Sequence, residues 1–212
     1  MKFLADPDQR EHFADDFMDS LQTAWDVGWP KPRVLVISFP HNPTGATVDL
    51  SFMQRVVDFC REHEMIVVHD FAYADVGFDG HQPPSILQAD GAKECAVELY
   101  SMTKSFSMAG WRSAFLLGNA EVVQALVKLK SYLDYGMFQP VQIASTVTIN
   151  ERPDFPDEIR ATYESRCDAL IDGLGRIGWD IPKPGGSMFV LSLIHISEPT
   201  RHICLSRMPS SA

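Results

Sequence analysis

Four short apolar runs, separated by amphipathic stretches, organise most of this chain. The apolar runs are residues 33–39, 65–69, 95–100 and 113–117. The first is almost continuously apolar, which is typical of a strand buried on both faces of a parallel sheet. Residues 50–60 then place apolar side chains at helical spacing behind Asp49, a residue type that favours a helix N-cap. We therefore predict a strand, a covering helix and a second strand in succession.

Helical patterns occupy much of the remaining chain. They predict helices over residues 8–27, from residue 121 until residues 131–136 interrupt it, from about residue 140, and over 157–177. Residues 75–94 are rich in glycine and proline and predict an irregular loop. Because strands alternate with helices, the sequence predicts an α/β layered domain.

Composition limits the classes of partner. The chain has 212 residues, 45% of them hydrophobic, which suits one large domain or one domain with part of another. Its net charge of −10 argues against nucleic acid and against anionic membranes as partners. No apolar run approaches the ~20 residues that span a bilayer, and the N-terminus becomes acidic too early for a signal peptide. The four cysteines lack metal-ligand spacing, so we predict a cytoplasmic protein with reduced thiols, no disulfide and no metal.

The chemistry of the chain centres on one lysine. Residues 101–112 read S-M-T-K-S-F-S-M-A-G-W-R and follow an apolar run, so Lys104 stands among hydroxyl side chains at the end of a predicted strand. We predict that it is a Schiff-base lysine, whose amine bonds to a carbonyl once it is deprotonated. Ser101, Thr103 and Arg112 would donate hydrogen bonds to a phosphate beside it.

Two other motifs end in a similar way. A phosphate-cradling P-loop needs glycines before its lysine, and residues 97–103 contain none. The S-x-x-K pattern of penicillin-recognising serine enzymes needs a later S-D-N and K-T-G, and neither follows. If the motif stood alone, a lysine that merely ends a strand would remain an equal alternative.

The lysine segment is accompanied by two upstream motifs. N-P-T-G at Asn42–Gly45 and D-F-A-Y at Asp70–Tyr73 each follow an apolar run. If the strands are parallel, their carboxyl ends converge on one pocket. Together the three motifs resemble the fold-type I pyridoxal-phosphate aminotransferases of class I/II, over about residues 10–190. A closer similarity, to alanine and LL-diaminopimelate aminotransferases, rests on residues 39–45, 68–75, 108–112 and 130–136.

The resemblance implies one cofactor, pyridoxal 5'-phosphate, and a set of residues that hold it. In chain order the set is Asn42, Asp70, Tyr73, Ser101, Thr103, Lys104 and Arg112. Asp70 would keep the ring nitrogen of the cofactor protonated. Asn42 and Tyr73 would donate to its phenolic oxygen. Lys104 would be the catalytic residue, holding the cofactor as a Schiff base and moving a proton once substrate displaces it.

Neighbouring side chains have less specific interpretations. Phe106 and Trp111 are predicted to be core residues rather than groups that stack on the cofactor ring. His69 either supports Asp70 or packs as a hydrogen-bonded core histidine, and both interpretations stay open. We also expect a cis peptide bond before Pro43, in its tight turn.

The resemblance also divides the chain. Residues 1–155 would form part of a pyridoxal-phosphate-binding large domain, a truncated three-layer α/β sandwich. Residues 156–178 would form the connecting long helix, and 179–190 the start of a small C-terminal domain. Residues 191–212 lack periodicity, so we predict that they are not native sequence and form no packed element. The family's glycine-rich phosphate loop, its stacking aromatic and its carboxylate-binding arginine have no counterpart in these 212 residues.

The function implied by the resemblance is that of an amino-acid:2-oxo-acid aminotransferase of the alanine/glutamate type. Its substrates would be small amino acids and 2-oxo acids. The full-length protein would be a homodimer, and the fragment alone would be inactive. Two alternatives share the cofactor residues or the lysine: a lyase or synthase of the same fold, and an aminotransferase-like sensor domain of a transcription regulator.

Overall fold

Four strands form one mixed sheet in the computed structural model, which describes residues 12–191. The strands are β1 (Val34–Ser38), β2 (Ile66–Asp70), β3 (Ala96–Ser101) and β4 (Ala114–Gly118). The helices of the described part are α1 (Phe13–Val27), α2 (Leu50–Glu62), α3 (Ala92–Cys95), α4 (Met102–Ser105), α5 (Ala120–Leu133), α6 (Gln139–Glu151) and α7 (Phe155–Arg176). Two 3-10 turns lie at Ile86–Gln88 and Ala109–Trp111.

The strand order places several strand ends at one edge of the sheet. The order is β1-β2-β3-β4, with the first three strands parallel and β4 antiparallel to β3. In this register Ser38 pairs with Asp70, and Asp70 pairs with Leu99. Ser101 at the end of β3 pairs with Ala114 at the start of β4. The carboxyl ends of β1 to β3 and the amino end of β4 therefore lie at the same edge.

The predicted α/β class is confirmed, and all four predicted strands are present within one or two residues of their expected limits. The helices expected near 50–60, 121, 140 and 157–177 are also present. One local prediction is wrong, because α5 continues to Leu133 through residues that were expected to interrupt it. The interrupting segment is shorter than predicted and begins at the C-cap, Asp134.

The main core lies between the sheet and the helices α1 and α2. Phe52 of α2 sits at its centre, with its ring centroid 5.8 Å from that of Phe13, 5.2 Å from Phe17 and 5.4 Å from Phe39. Offset and edge-on contacts of this kind stabilise aromatic pairs beyond the area that they bury. The apolar stripe of α2 predicted from the sequence is therefore the face that covers the sheet.

One face of β1 differs from the expectation. Leu35 and Ile37 pack into the core, whereas Val34 and Val36, which alternate with them, are 53% and 68% exposed. Successive side chains of a strand point to opposite faces. The prediction that β1 is buried on both faces is therefore wrong within the described chain. The helices α1 and α2 pack on the face of β1 that carries Leu35 and Ile37, and the Val34 and Val36 face stays exposed.

A second core joins the segment after β2 to α7 and to residues 179–191. Tyr73, Val76 and Phe78 pack there against Cys167 of α7 and against Met188. The Ser187 backbone N–H donates to the Val76 carbonyl at 2.8 Å, which anchors the later segment to the earlier one. Residues 12–191 thus include a contact between stretches more than 100 positions apart.

The thiols, possible metal ligands and possible membrane spans of the described residues were compared with the sequence predictions. Cys60, Cys95 and Cys167 are free and buried, and burial raises the pKa of Cys60 to about 12 and that of Cys167 to about 11. Within residues 12–191, no three histidine, cysteine, aspartate or glutamate side chains come together as a metal site. In the same range no helix has the length and apolar character needed to cross a membrane. Apart from Leu191, the tail that we predict to be non-native lies outside the described residues.

Replacing Asp49 with alanine is expected to lower the free energy of unfolding by about 1 kcal/mol, because Asp49 caps α2 as predicted. Its Oδ1 accepts hydrogen bonds from the Phe52 backbone N–H at 2.8 Å and from the Ser51 hydroxyl at 2.8 Å. These bonds, that from Phe52 first, hold the pKa of the carboxyl below its ordinary value. The stabilisation is therefore complete above the unfolded-state pKa and is lost as pH falls through the lowered folded-state pKa.

Urea unfolding of D49A and D49N measures this effect. Asparagine caps helices about as well as aspartate, so D49N is expected to stay close to the unsubstituted chain at neutral pH. Equal losses in both variants would contradict the capping explanation.

Candidate active site

The residues singled out from the sequence leave the sheet at one edge. Asn42 follows β1 by four residues, Asp70 ends β2, and Ser101 ends β3. Arg112 precedes β4, and the antiparallel direction of β4 brings it to the same edge. A backbone hydrogen bond also joins the segments that carry Ser101 and Arg112, since the Met102 N–H donates to the Ser113 carbonyl at 3.2 Å. Parallel strands present ligand-binding groups at their carboxyl ends in this way.

The N-P-T-G turn is closed by its own hydrogen bonds. The Gly45 N–H donates to the His41 carbonyl, and the His41 N–H donates to the Ala46 carbonyl, both at 2.8 Å. The expected cis peptide bond before Pro43 is present. Asn42 itself lies on the surface of this turn, and burial lowers the pKa of the neighbouring His41. The turn therefore holds the Asn42 side chain on a closed backbone at the site edge.

Gly45 is required by its surroundings. Its φ of +68° lies in the left-handed region, and a Cβ at this position would stand 2.3 Å from Cβ of Pro184. The Gly186 N–H donates to the Gly45 carbonyl at 3.1 Å. Residues 184–186 therefore sit directly on the N-P-T-G turn, a contact that the sequence did not indicate.

Asp70 is the last residue of β2, and Tyr73 follows it by three residues. Asp70 is exposed, and its Oδ1 accepts a hydrogen bond from the Ala72 backbone N–H at 3.2 Å. Tyr73 is buried, and its ring centroid is 6.0 Å from that of Phe189 in an edge-on contact. The chain turns sharply between the two, since the Ala74 N–H donates back to the Phe71 carbonyl.

Lys104 lies on α4, immediately after β3. Its Nζ is 5.9 Å from the centroid of the Tyr73 ring, so two of the predicted cofactor residues are neighbours. The side chain is partly buried. Ser101 caps this short helix, and its Oγ accepts a hydrogen bond from the Thr103 backbone N–H at 3.2 Å. Lys104 therefore lies on a capped turn, with Thr103 directly before it and Ser101 three residues before it.

Arg112 lies at the end of the segment that joins α4 to β4, directly after the 3-10 turn Ala109–Trp111. It has a left-handed backbone with φ of 55°, and its exposed guanidinium donates from Nη1 to the Ala109 carbonyl at 3.4 Å. Phe106 is buried as predicted. Trp111 is 51% exposed, so the prediction that it is a core residue is wrong. About half of the Trp111 side chain is thus open to solvent in the described chain.

Sequence reasoning gave no role to a pair next to the site. The hydroxyl of Tyr100 donates to Oδ2 of Asp75 at 2.8 Å. Burial, and then the negative charge of Asp75, raise the pKa of Tyr100, so its hydroxyl remains a donor at neutral pH. Tyr100 directly precedes Ser101, and Asp75 follows Tyr73 by two residues. The available signal was Asp75 itself, an acidic residue inside the segment that carries the resemblance.

The residue types at this edge suit a phosphorylated carbonyl compound. The amine of Lys104 can bond to a carbonyl carbon. The planar guanidinium of Arg112 and the hydroxyl of Ser101 match phosphate oxygens. The carboxylate of Asp70 matches a protonated heterocyclic nitrogen. The donor set therefore fits pyridoxal phosphate.

The fold and this edge together define an α/β protein with the residue types that hold a phosphorylated cofactor through a lysine. The family described as aminotransferase class I and II matches residues 4–200. The chain belongs to this family.

Individual relatives agree with the family. The chain is 41% identical over 179 residues to the glutamate-pyruvate aminotransferase AlaC of Escherichia coli (strain K12), covering 84% of this chain and 43% of that protein. It is 40% identical over 160 residues to the LL-diaminopimelate aminotransferase of Moorella thermoacetica, covering 76% of this chain and 41% of that protein. The chain thus spans somewhat less than half the length of these relatives.

A solved structure supports the fold. The apo structure of BacF from Bacillus subtilis superposes with a TM-score of 0.77 and 34% sequence identity. The match covers 81% of this chain and 44% of that one. The structure of an aminotransferase from Staphylococcus aureus superposes with a TM-score of 0.73 and 30% identity, covering 77% of this chain and 44% of that one, so the sheet and helices described above are those of an aminotransferase fold.

Proposed function

We propose that the whole protein is a pyridoxal-phosphate-dependent amino-acid:2-oxo-acid aminotransferase. The observation that carries the proposal is the position of Lys104, next to Tyr73 and at the sheet edge where Asp70 ends β2. Membership of the aminotransferase class I and II family supports it. Nothing in residues 12–191 or in the relatives compared favours the lyase or the regulator sensor domain.

The proposed cofactor site uses the seven residues of the sequence prediction. Arg112, Ser101 and Thr103 would bind the phosphate, and Asp70 would bind the ring nitrogen. Asn42 and Tyr73 would bind the phenolic oxygen. Bound there, pyridoxal phosphate supplies an electron sink for the bonds at the substrate Cα.

Side chains of this chain would then move or hold the protons of the reaction. Once an incoming amino acid has displaced it from the cofactor, Lys104 would take the proton from the substrate Cα on Nζ. It would then deliver that proton to the carbon that had been the aldehyde carbon of the cofactor. The ring of Tyr73, whose centroid is 5.9 Å from Nζ, would help to orient that amine. The carboxylate of Asp70 would hold a proton on the ring nitrogen, where a positive charge draws electrons from the substrate.

The substrate class is proposed from the relatives' names. The glutamate-pyruvate enzyme at 41% identity favours alanine and glutamate with their 2-oxo acids. A similar identity to an LL-diaminopimelate aminotransferase makes that longer diamino acid the competing donor. We further propose a cytoplasmic homodimer.

The domain division is also a proposal. Residues 1–155 would belong to the cofactor-binding large domain and 156–178 to the connecting helix. The helix α7 supports the second assignment by its length of 22 residues. Residues 179–190 would begin the small domain, and their packing against Tyr73 and Val76 would place its start beside the site.

A chimera tests the function. Residues of this chain that align with the Escherichia coli glutamate-pyruvate aminotransferase would replace the matching 179 residues of that enzyme. With bound pyridoxal phosphate, the chimera is expected to form pyridoxamine phosphate when alanine or glutamate is added. The 212-residue chain alone is expected to show no turnover, because catalysis needs the substrate carboxylate and the cofactor held together in one geometry.

Quantifying pyridoxamine phosphate by chromatography after a single turnover measures the result. LL-diaminopimelate in a parallel reaction decides between the two donor classes. A folded chimera that binds the cofactor but forms no pyridoxamine phosphate with any amino acid would refute the proposal. Turnover by the 212-residue chain alone would refute the expectation of inactivity.

A further inference from the structure

A buried histidine and a buried glutamate lie directly beneath the candidate site. His69 is fully buried and Glu98 is 4% exposed. Nδ1 of His69 is 3.2 Å from Oε2 of Glu98, and Nε2 is 3.2 Å from the carbonyl oxygen of Phe39. His69 therefore hydrogen-bonds to Glu98 and Phe39, with a ring nitrogen on each, and of the two interpretations left open by the sequence it is the hydrogen-bonded core histidine.

The geometry determines how many protons the pair holds. A carbonyl oxygen only accepts hydrogen bonds, so Nε2 of His69 must carry a proton. The contact between Nδ1 and the Glu98 carboxyl needs a second proton, located on one partner or the other. The pair therefore holds two protons and has no net charge, which removes the cost of burying a lone ion.

Other contacts place the second proton on the ring. Oε2 of Glu98 also accepts hydrogen bonds from the Ser85 hydroxyl at 2.8 Å and from the Ile86 backbone N–H at 3.0 Å. With His69, three donors converge on one oxygen, an arrangement that favours the ionised carboxylate. The ring of Phe71 stacks on the imidazole at 4.6 Å and offers no charge.

The pair joins the three strands that carry the site. Ile37, His69 and Glu98 are paired in one row across β1, β2 and β3. Phe39 follows β1 and precedes Asn42 by three residues. His69 directly precedes Asp70, and Glu98 lies six residues before Lys104. One buried group therefore connects the backbone segments from which these site residues leave the sheet.

We propose that His69, held as an imidazolium by Glu98, is a positioning residue for the candidate site. It sets the spacing between the ends of β1, β2 and β3, and through them the placement of Asn42, Asp70 and Lys104. The ligand that these residues bind rests on the proposed function. The charge state of His69 does not.

Nitrogen-15 NMR of the histidine-labelled 212-residue chain tests the charge state. The signals of His69 are identified by their disappearance in H69Q. Both ring nitrogens are expected to carry a proton at neutral pH, because each lies within hydrogen-bond distance of an oxygen acceptor. A bare Nδ1 at neutral pH would overturn the proposal, whatever the chain binds.

Cofactor capture tests the positioning role. E98Q keeps the shape of the side chain and an oxygen acceptor but removes the counter-charge, and H63Q is the matched control at a histidine of the α2 C-cap. E98Q is expected to lose the second ring proton of His69, to weaken capture of pyridoxal phosphate about tenfold or more, since small displacements in a site are costly, and to shift the pH profile of the absorption of the bound cofactor. H63Q is expected to change none of these.

The outcomes separate the two proposals. If E98Q leaves both the His69 signals and the absorption profile unchanged while folding normally by circular dichroism, the positioning role is refuted. If E98Q does not fold, the spectrum of the unsubstituted chain still decides the charge state, and E98D, which keeps the charge, is expected to restore folding. If the unsubstituted chain captures no pyridoxal phosphate, the assigned cofactor site fails in this chain while the NMR result stands.

Discussion

Replacing Lys104 with alanine is expected to abolish covalent attachment of pyridoxal phosphate to the chain. The reaction needs a primary amine at this position, and an amine is the group that alanine removes. Lys104 is also the only predicted site residue that would both hold the cofactor and move the substrate proton. In the chimera the rate of transamination should therefore fall about ten-thousand-fold, the upper end of what a positioned proton-transfer group contributes.

Borohydride reduction followed by peptide mass spectrometry measures the attachment directly. The pyridoxyl mass is expected on the peptide that contains Lys104, and it should be absent in K104A and in K104R, which keeps the charge but cannot form the bond. K128A, at an exposed lysine of α5, is the matched control and should retain the adduct. An adduct of equal yield in K104A would show that another amine holds the cofactor.

Replacing Phe52 with alanine is expected to lower the free energy of unfolding by about 3–5 kcal/mol. Phe52 is 2% exposed and lies among the rings of Phe13, Phe17 and Phe39. The substitution removes the buried apolar area of the ring and leaves a cavity that the surrounding helices and strand fill only in part. A loss of this size is a large fraction of the stability of an ordinary domain.

Urea unfolding, followed by circular dichroism, measures the change. F138A applies the same substitution to a phenylalanine that is 74% exposed, and its effect should stay within about 0.5 kcal/mol, as for most surface changes. A loss below about 1 kcal/mol in F52A would mean that the core between β1 and α2 is not packed as described.

Local patterns in the sequence predicted the secondary structure well. The apolar runs located all four strands, and the spacing behind Asp49 located α2 together with its N-cap. These features depend on residues a few positions apart, whose side chains repeat with the period of a strand or a helix. The main local failure, the extension of α5 to Leu133, lies at a helix end, where local preferences are weakest.

The exposure of the second face of β1 could not be predicted from such local patterns. An apolar run indicates that a strand can be buried on both faces, but the elements that cover it belong to other parts of the fold. Within residues 12–191, the helices on the Leu35 and Ile37 side cover that face, while Val34 and Val36 remain exposed.

The sequence by itself determined the candidate site residues of this protein: a lysine between hydroxyl residues and an arginine, with an asparagine and an aspartate after earlier strands. It also determined the family, because those motifs are local and specific. Only the tertiary structure decided that β4 runs antiparallel and so brings Arg112 to the edge where Asp70 ends, and that Pro184 closes over Gly45. It alone revealed Glu98 as the partner of His69, 29 positions away. Such contacts join distant residues through packing and hydrogen bonds, and no repeat along the chain encodes them.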